Sequence, residues 1–480
     1  MPSRKTIGLP LGPAAFLALL ALPAPDGLAA AGWAVAALAL WMAIWWASEA
    51  VPVAATALLP LVLLPLLDVA ALGTVAAPYA NPLIFLFLGG FMIALAMQRW
   101  NLHRRVALHV LLLAGTGPRR LLAGVMLATA GLSMWISNTA TAMMMMPIAL
   151  SLAAILPAAG PEDDGDRTGQ AFGTALMLGT AYAASIGGLA TLVGSPPNAL
   201  LAAYMMQAHG VPVGFAQWLA VGLPVAAAML PLAWLLLARL LYRLPAAGIA
   251  GGSAPIRQQL QALGPVTAAE WRVAAVFGAV ALLWIARPVL PAGWPAGTLT
   301  DPGIAIAGAV LLFALPAGGG RRTALLDWQT ARAAPWEILI LFGGGLSLAE
   351  AVDATGLAGW IGRGLALLEA WPALALVAAV AALVILLTEL TSNTATTAAF
   401  LPVLGAVAGQ AGLAPVELAV PAALAATCAF MLPVATPPNA IVYGSGRVSI
   451  PQMMRAGLLL NLAGIAAITL LVPPLLRLLF

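Results

Sequence analysis

Ser137-Asn138-Thr139-Ala140-Thr141 and Ser392-Asn393-Thr394-Ala395-Thr396 are two copies of one pattern, and each is followed downstream by a break: Gly194-Ser195-Pro196-Pro197-Asn198 after the first, Ala435-Thr436-Pro437-Pro438-Asn439 after the second. A further hydroxyl stands four residues ahead of each copy, Ser133 before Ser137 and Thr388 before Ser392. Residues four apart share one face of a helix. The flanking sequence is as apolar as lipid, so these small uncharged oxygen carriers are the strongest functional signal in the chain.

The flanks define the class. The 480 residues are 63% hydrophobic and only 8% charged, with a mean hydropathy of +1.03, whereas a soluble domain carries roughly a quarter charged residues. The chain therefore reads as an all-α polytopic membrane protein. Its net charge of +4 is explained by basic residues gathered at one face of the membrane rather than by a nucleic-acid partner. Cys428 is the only cysteine, which excludes an internal disulfide and a thiolate metal cluster. His103, His109 and His209 have no metal-ligand spacing, and Met143 to Met146 read as adaptable packing.

Around the first pattern, residues 121–157 hold two apolar arms with polar ends at Arg119-Arg120 and at Glu162 to Arg167. Two full crossings would leave a connection of almost no length at the far side. The spacing predicts a re-entrant hairpin whose tip lies near the midplane, where non-helical backbone is tolerated only against protein or a water-filled cavity. Residues 372–411 repeat the arrangement. The paired prolines predict broken helices around 194–198 and 435–439, because two prolines remove two amide donors and cannot continue a regular helix.

The remaining apolar runs predict about eleven crossing helices, each near the roughly 20 residues that span hydrocarbon. Residues 1–32 carry the first, read as a retained helix rather than a cleaved leader. Residues 33–244 form one repeat, 245–270 a polar linker, and 271–480 a second repeat. Gly89 precedes Ser137 by the same 48 residues (137 − 89) that separate Gly344 from Ser392 (392 − 344). The interval from Ser137 to Ser195 is longer than that from Ser392 to Thr436, and the charged loop at 162–167 accounts for the excess. Five crossings per repeat invert the second copy, so the hairpins enter from opposite faces. A cytoplasmic N-terminus and an outer C-terminus place every lysine and arginine inside except Arg287, Arg363 and Arg477, in keeping with the positive-inside rule. Residues 99–120, with five arginines, are suited to lying along the interface.

Opposed tips and broken helices supply positive dipole ends and free amides for an anion, and unwound carbonyls and hydroxyls for a desolvated monovalent cation, of which sodium is the natural candidate. Two near-identical tips suit a substrate with two anionic ends. No lysine or arginine lies in either motif, so the anion is neutralised by dipoles and co-bound cations, which implies coupling.

Together with Leu88-Gly89-Gly90-Phe91, Arg99-Trp100-Asn101-Leu102-His103 and Met431-Leu432-Pro433-Val434-Ala435-Thr436, the paired motifs resemble the divalent anion/sodium symporter family of di- and tricarboxylate carriers, over nearly the whole chain. The resemblance implies an elevator-type homodimer in the inner (plasma) membrane, surrounded by lipid, which couples sodium to import of C4 dicarboxylates such as succinate, malate or fumarate. It implies a first sodium site at Ser133, Ser137, Asn138 and the backbone of Gly194, and a second at Thr388, Ser392, Asn393 and the backbone of Ala435. It places substrate carboxylates against Asn138 and Thr139 at one tip and Asn393 and Thr394 at the other, flanked by Ser195, Pro196, Thr436 and Pro437.

Other readings stay open at this point. A sodium-independent dicarboxylate exchanger and a sulfate or phosphate carrier would share the fold, and opposed hairpins also serve channels. An intramembrane enzyme would need a nucleophile and base; Ser137 and Ser392 have no histidine or carboxylate nearby in sequence except Glu389, so no catalytic role is expected. Glu389 reads as a structural hydrogen-bonding group ahead of a cation ligand or a proton-coupling group. Gly89-Gly90 and Gly343 to Gly345 read as close packing, and Gly318 to Gly320 as a loop.

Overall fold

The helix Asp164–Leu189 runs through the interior of the molecule, with every residue from 172 to 189 buried. Small side chains permit this, because helices in lipid associate by packing and small residues let backbones approach. A Cβ on Gly187 would strike the backbone of Ala130 in the first hairpin, and one on Gly344 would strike that of Ala57. The computed structural model describes residues 4–155, 164–247, 253–289, 299–318, 321–364 and 371–480. Glu162 and Asp163 of the charged loop, residues 248–252 of the linker and Gly319-Gly320 lie outside them.

Both halves follow one order of elements. A long helix, Pro82–Arg99 or Trp336–Ala354, leads to a short one, Leu102–Ala114 or Leu357–Gly364. In the second half these two are bent by 73° at Gly356, whose φ of +74° favours glycine. Next come the hairpins, with arms Pro118–Ser133 and Asn138–Ala153 in the first and Ala373–Thr388 and Asn393–Gln410 in the second. The broken helices follow, as Asp164–Leu189 with Pro196–His209 and Val416–Thr427 with Pro437–Gly444. Each half closes on a long helix, Phe215–Leu235 or Ile450–Leu479, and these two pack on each other.

The expected count of about eleven crossings meets a more fragmented pattern. Among the described residues, six helices are long and apolar enough to cross alone, or seven if the bent pair is one span. The rest are shorter pieces: Arg4–Leu20, Asp301–Ala314 and the two segments of the second broken helix. The apolar run at 52–68, one of those counted as a crossing, is two short helices, Val53–Thr56 and Leu59–Leu66. Pro60 explains the interruption, since it has no N–H to donate to the carbonyl of Thr56. A small antiparallel ribbon, Pro316–Gly318 with Arg321–Ala324, departs from the all-helical expectation, and Gly318 closes its first strand rather than lying in a loop.

The basic segment is docked, not merely laid on the interface. Arg105 is buried; its Nε and Nη2 donate to Glu270 at 2.7 and 3.3 Å and its Nη1 to Gly264 O at 3.0 Å. Glu270 completes a capping box with Thr267 at the start of Ala268–Ala286. The helix Leu102–Ala114, which leads into the first hairpin, is thereby fixed to the linker.

Candidate functional site

The two Ser-Asn-Thr patterns are helix starts. Ser137 caps Asn138–Ala153, its Oγ accepting the N–H of Ala140 at 3.3 Å, and Ser392 caps Asn393–Gln410, accepting that of Ala395 at 3.5 Å. Serine is favoured there because its oxygen satisfies an amide with no partner inside the helix. Hydroxyl residues also stand at the starts of the second broken segments: Thr436 caps Pro437–Gly444, its Oγ1 accepting from Asn439 N at 3.3 Å, whereas Ser195 occupies the cap position of Pro196–His209 without a capping bond. The caps of these four helices, Ser137, Ser195, Ser392 and Thr436, line one cavity of about 470 Å³.

All eight residues expected to meet substrate line this cavity: Asn138, Thr139, Ser195 and Pro196 from the first half, Asn393, Thr394, Thr436 and Pro437 from the second. Of the expected sodium ligands, Ser137, Gly194, Ser392 and Ala435 line it too. Ser133 and Thr388 lie behind the wall, fully buried. The expectation of free amides at every end needs correction. Pro196-Pro197 and Pro437-Pro438 occupy the first two positions of their helices, where proline fits without strain but offers no N–H. The broken helices therefore contribute dipoles and hydroxyls, and the hairpin tips contribute the amides.

Three predicted ligands of the first cation site are in mutual reach. One end of the Asn138 amide meets Ser133 Oγ at 2.6 Å, Ala184 O at 3.0 Å and Gly194 O at 3.2 Å, so it presents its NH₂ to them. Ser133 Oγ in turn donates to Ala184 O at 2.7 Å. In the second half, Thr388 Oγ1 donates to Val384 O at 3.0 Å, which leaves its lone pairs to accept. Asn393 Oδ1 is buried with no hydrogen-bond donor among the described residues. An orphaned carbonyl oxygen of this kind suits a dehydrated cation or a water.

Several residues of the site escaped the sequence reading. Asn198 and Asn439, the last residues of the two breaks, are fully buried; Asn198 donates to the end of the preceding helix and to the loop after it, and Asn439 to two carbonyls of its unwound loop. Their repetition was the signal, but only the fold reveals their partners. Thr191 Oγ1 accepts from Gly194 N at 3.0 Å and donates to Met134 O, tying the first loop to the first tip. Glu49 and Glu337, at the ends of Ala30–Ser48 and Trp336–Ala354, also line the cavity. Glu389 does not line it; its carboxylate accepts from the N–H groups of Phe430, Met431 and Leu432 and from Asn461 Nδ2.

Pro196–His209 and Trp336–Ala354 are also in contact away from the residues that line the cavity. Gln207 Nε2 donates to Glu350 Oε2 at 2.8 Å, and Leu200 and Tyr204 meet Gly345 and Ala398 with almost no space between them.

Residues 4–478 match the family described as the sodium:sulfate symporter transmembrane region. The chain is 44% identical to the sodium-dependent dicarboxylate transporter SdcS of Staphylococcus saprophyticus, over 98% of this chain and 92% of that one. It is 43% identical to SdcS of Staphylococcus aureus strain USA300, over 98% and 90%. The fold is similar to that of the Alcanivorax borkumensis YdaH transporter, with a TM-score of 0.59 at 15% identity, covering 92% of this chain and 98% of that one. It is also similar to that of Neisseria gonorrhoeae MtrF, with a TM-score of 0.58 at 14% identity, covering 98% and 95%.

Proposed function

Because the chain belongs to the sodium:sulfate symporter family of divalent anion carriers, we propose that it imports C4 dicarboxylates such as succinate, malate or fumarate with sodium, by an elevator movement within a homodimer. The observation that carries this reading is the convergence of four helix N-termini on one cavity. Each terminus carries roughly half a positive charge, so four supply about two, which matches a dianion without a buried lysine or arginine. Both hairpin tips line the cavity, and in this reading each offers its amide-bearing end to one carboxylate.

Sodium supplies the drive. Each tenfold sodium gradient provides about 1.4 kcal/mol per ion, so two ions support roughly hundredfold accumulation of an electroneutral complex. Ser133, Ser137, Gly194 O and Asn138, its amide turned so that Oδ1 faces these oxygens, would hold one ion, and Thr388, Ser392, Asn393 and Ala435 O the other. With the basic residues on the cytoplasmic side, the cavity extends inward to Glu49 and Glu337, and the Gln207–Glu350 contact is taken to close the outer end. In this reading the state is inward-facing, with the hairpins and broken helices as the travelling body and Pro82–Arg99, Ala268–Ala286 and Trp336–Ala354 in the frame.

The test is uptake of labelled succinate into proteoliposomes under an inward sodium gradient, with equal potassium as control. Sodium-dependent uptake that sulfate does not inhibit is expected. Uptake that ignores sodium but needs internal dicarboxylate would replace this reading with an exchanger, and sulfate uptake in place of succinate would replace the substrate.

A further inference from the structure

We propose that Asn198 and Asn439 are positioning residues for the two cation sites, and that Glu389 makes those sites unequal by gripping the second loop from its other side. The inference rests on the sodium-coupled reading above.

The two asparagines do the same work in both halves. Asn198 Nδ2 donates to Gly188 O at 2.9 Å and Thr191 O at 2.8 Å; Asn439 Nδ2 donates to Ala429 O at 3.3 Å and Leu432 O at 3.0 Å. The accepting carbonyls lie 10 and 7 residues upstream in each case. Both side chains are fully buried, and both leave Oδ1 without a donor among the described residues. A short side chain with two N–H donors is what such a clasp requires. Each clasp fixes the unwound stretch that ends at Gly194 or Ala435, the backbone offered to a cation.

The second loop has an additional hold. The peptide between Ala429 and Phe430 is bound at both ends, its C=O by Asn439 and its N–H by Glu389 Oε1 at 2.8 Å. Leu432 is bound likewise, its N–H donating to Glu389 Oε2 at 3.0 Å and its C=O accepting from Asn439. Met431 N adds a third donor to the carboxylate, at 2.9 Å, and Asn461 Nδ2 fixes the carboxylate itself, at 2.7 Å.

In the first half the residue that follows the buried hydroxyl is Met134 where the second half has Glu389. Its tie to the loop is one neutral bond, from Thr191 Oγ1 to Met134 O. Bonds to an ionised acceptor are roughly twice as strong as neutral ones. The second loop therefore keeps its shape without Asn439, whereas the first depends on Asn198.

The experiment measures the increase in thermal midpoint that sodium gives over equal potassium, in the purified full-length protein without substrate, as a function of sodium concentration. This sodium-specific increment is the readout, because a merely structural residue shifts the midpoint in both salts alike. Loss of two hydrogen bonds predicts that Asn198→Ala raises the sodium half-saturation about tenfold. Asn439→Ala is expected to raise it less than about threefold, and Asn439→Ala combined with Glu389→Gln about tenfold, more than the product of the single effects. Asn198→Ser serves if the alanine variant does not fold. Equal shifts in Asn198→Ala and Asn439→Ala would overturn the inequality, and unchanged half-saturation in every variant would overturn the positioning role. A wild-type protein with no sodium increment would overturn the sodium-coupled reading, and this inference with it.

Discussion

Ser195 Oγ and Thr427 Oγ1 lie 2.9 Å apart in a buried contact, and they belong to the broken helices of opposite halves. Ser195 precedes the second segment of one and lines the cavity; Thr427 ends the first segment of the other. The bond joins the two breaks into one body. Thr427→Val keeps the shape and removes the partner, which costs about 1 kcal/mol. Succinate KM is expected to rise roughly fivefold, with expression and oligomeric state unchanged. An unchanged KM would mean that the breaks are aligned by other contacts.

The caps at the hairpin tips separate folding from recognition. Aspartate caps a helix about as well as serine, but it places a negative charge where the substrate carboxylate is expected. Ser137→Asp should therefore leave the thermal midpoint in potassium nearly unchanged while abolishing succinate uptake. Ser137→Ala should lower stability by about 1 kcal/mol. Retained uptake in the aspartate variant would remove the carboxylate from this tip.

Much of this site was legible because caps are local chemistry. Ser137 and Ser392 announce helix starts wherever they fall in apolar sequence, and Pro196-Pro197 and Pro437-Pro438 announce breaks. Two of each, in the same order, were enough to point to twelve of the residues that line the common cavity. The scaffold side was not legible. Glu49 and Glu337 reach the cavity only through the register of their helices against the tips, which no local pattern encodes. Arg105 looked like a surface charge because its partner, Glu270, is far away in sequence. The break at Pro60 was hidden by the uninterrupted apolar run around it.

Glu337 sits at the solvent-exposed edge of the cavity, where its charge opposes a dianion. Glu337→Gln should lower succinate KM for transport from that side about two- to threefold at low ionic strength. Screening over about 8 Å at physiological salt should remove most of the gain. A salt-independent change would point to packing rather than charge.

Arg105 and Glu270 form a buried ion pair with side chains 10% and 3% exposed. Arg105→Ala leaves a buried carboxylate and should cost about 3–5 kcal/mol, read as a large drop in thermal midpoint in detergent. Arg105→Met with Glu270→Leu should recover most of that loss. If the double variant is no better than the single, the carbonyls of residues 263–265 carry the contact instead.

His103 provides a pH signature outside the membrane spans. Its Nδ1–H donates to Met97 O at 2.9 Å, and burial lowers its pKa, an effect that outweighs this bond and to which the nearby Arg104 adds. A depressed folded value means that the unfolded chain binds the proton more readily. The stabilisation is complete above the ordinary value of about 6.5 and is lost as pH falls toward the folded value. His103→Gln should flatten the decline in thermal midpoint below pH 6.5. A parallel decline in both proteins would assign it to other groups.

The most direct measurement of the central claim is equilibrium binding of succinate to the purified protein in sodium and in potassium, for the wild type and for Asn138→Ala and Asn393→Ala. Four helix ends and two cation sites around one cavity predict tight binding in sodium, little in potassium, and loss of binding when either tip is altered. Equal binding in both salts, or full binding after both substitutions, would contradict it.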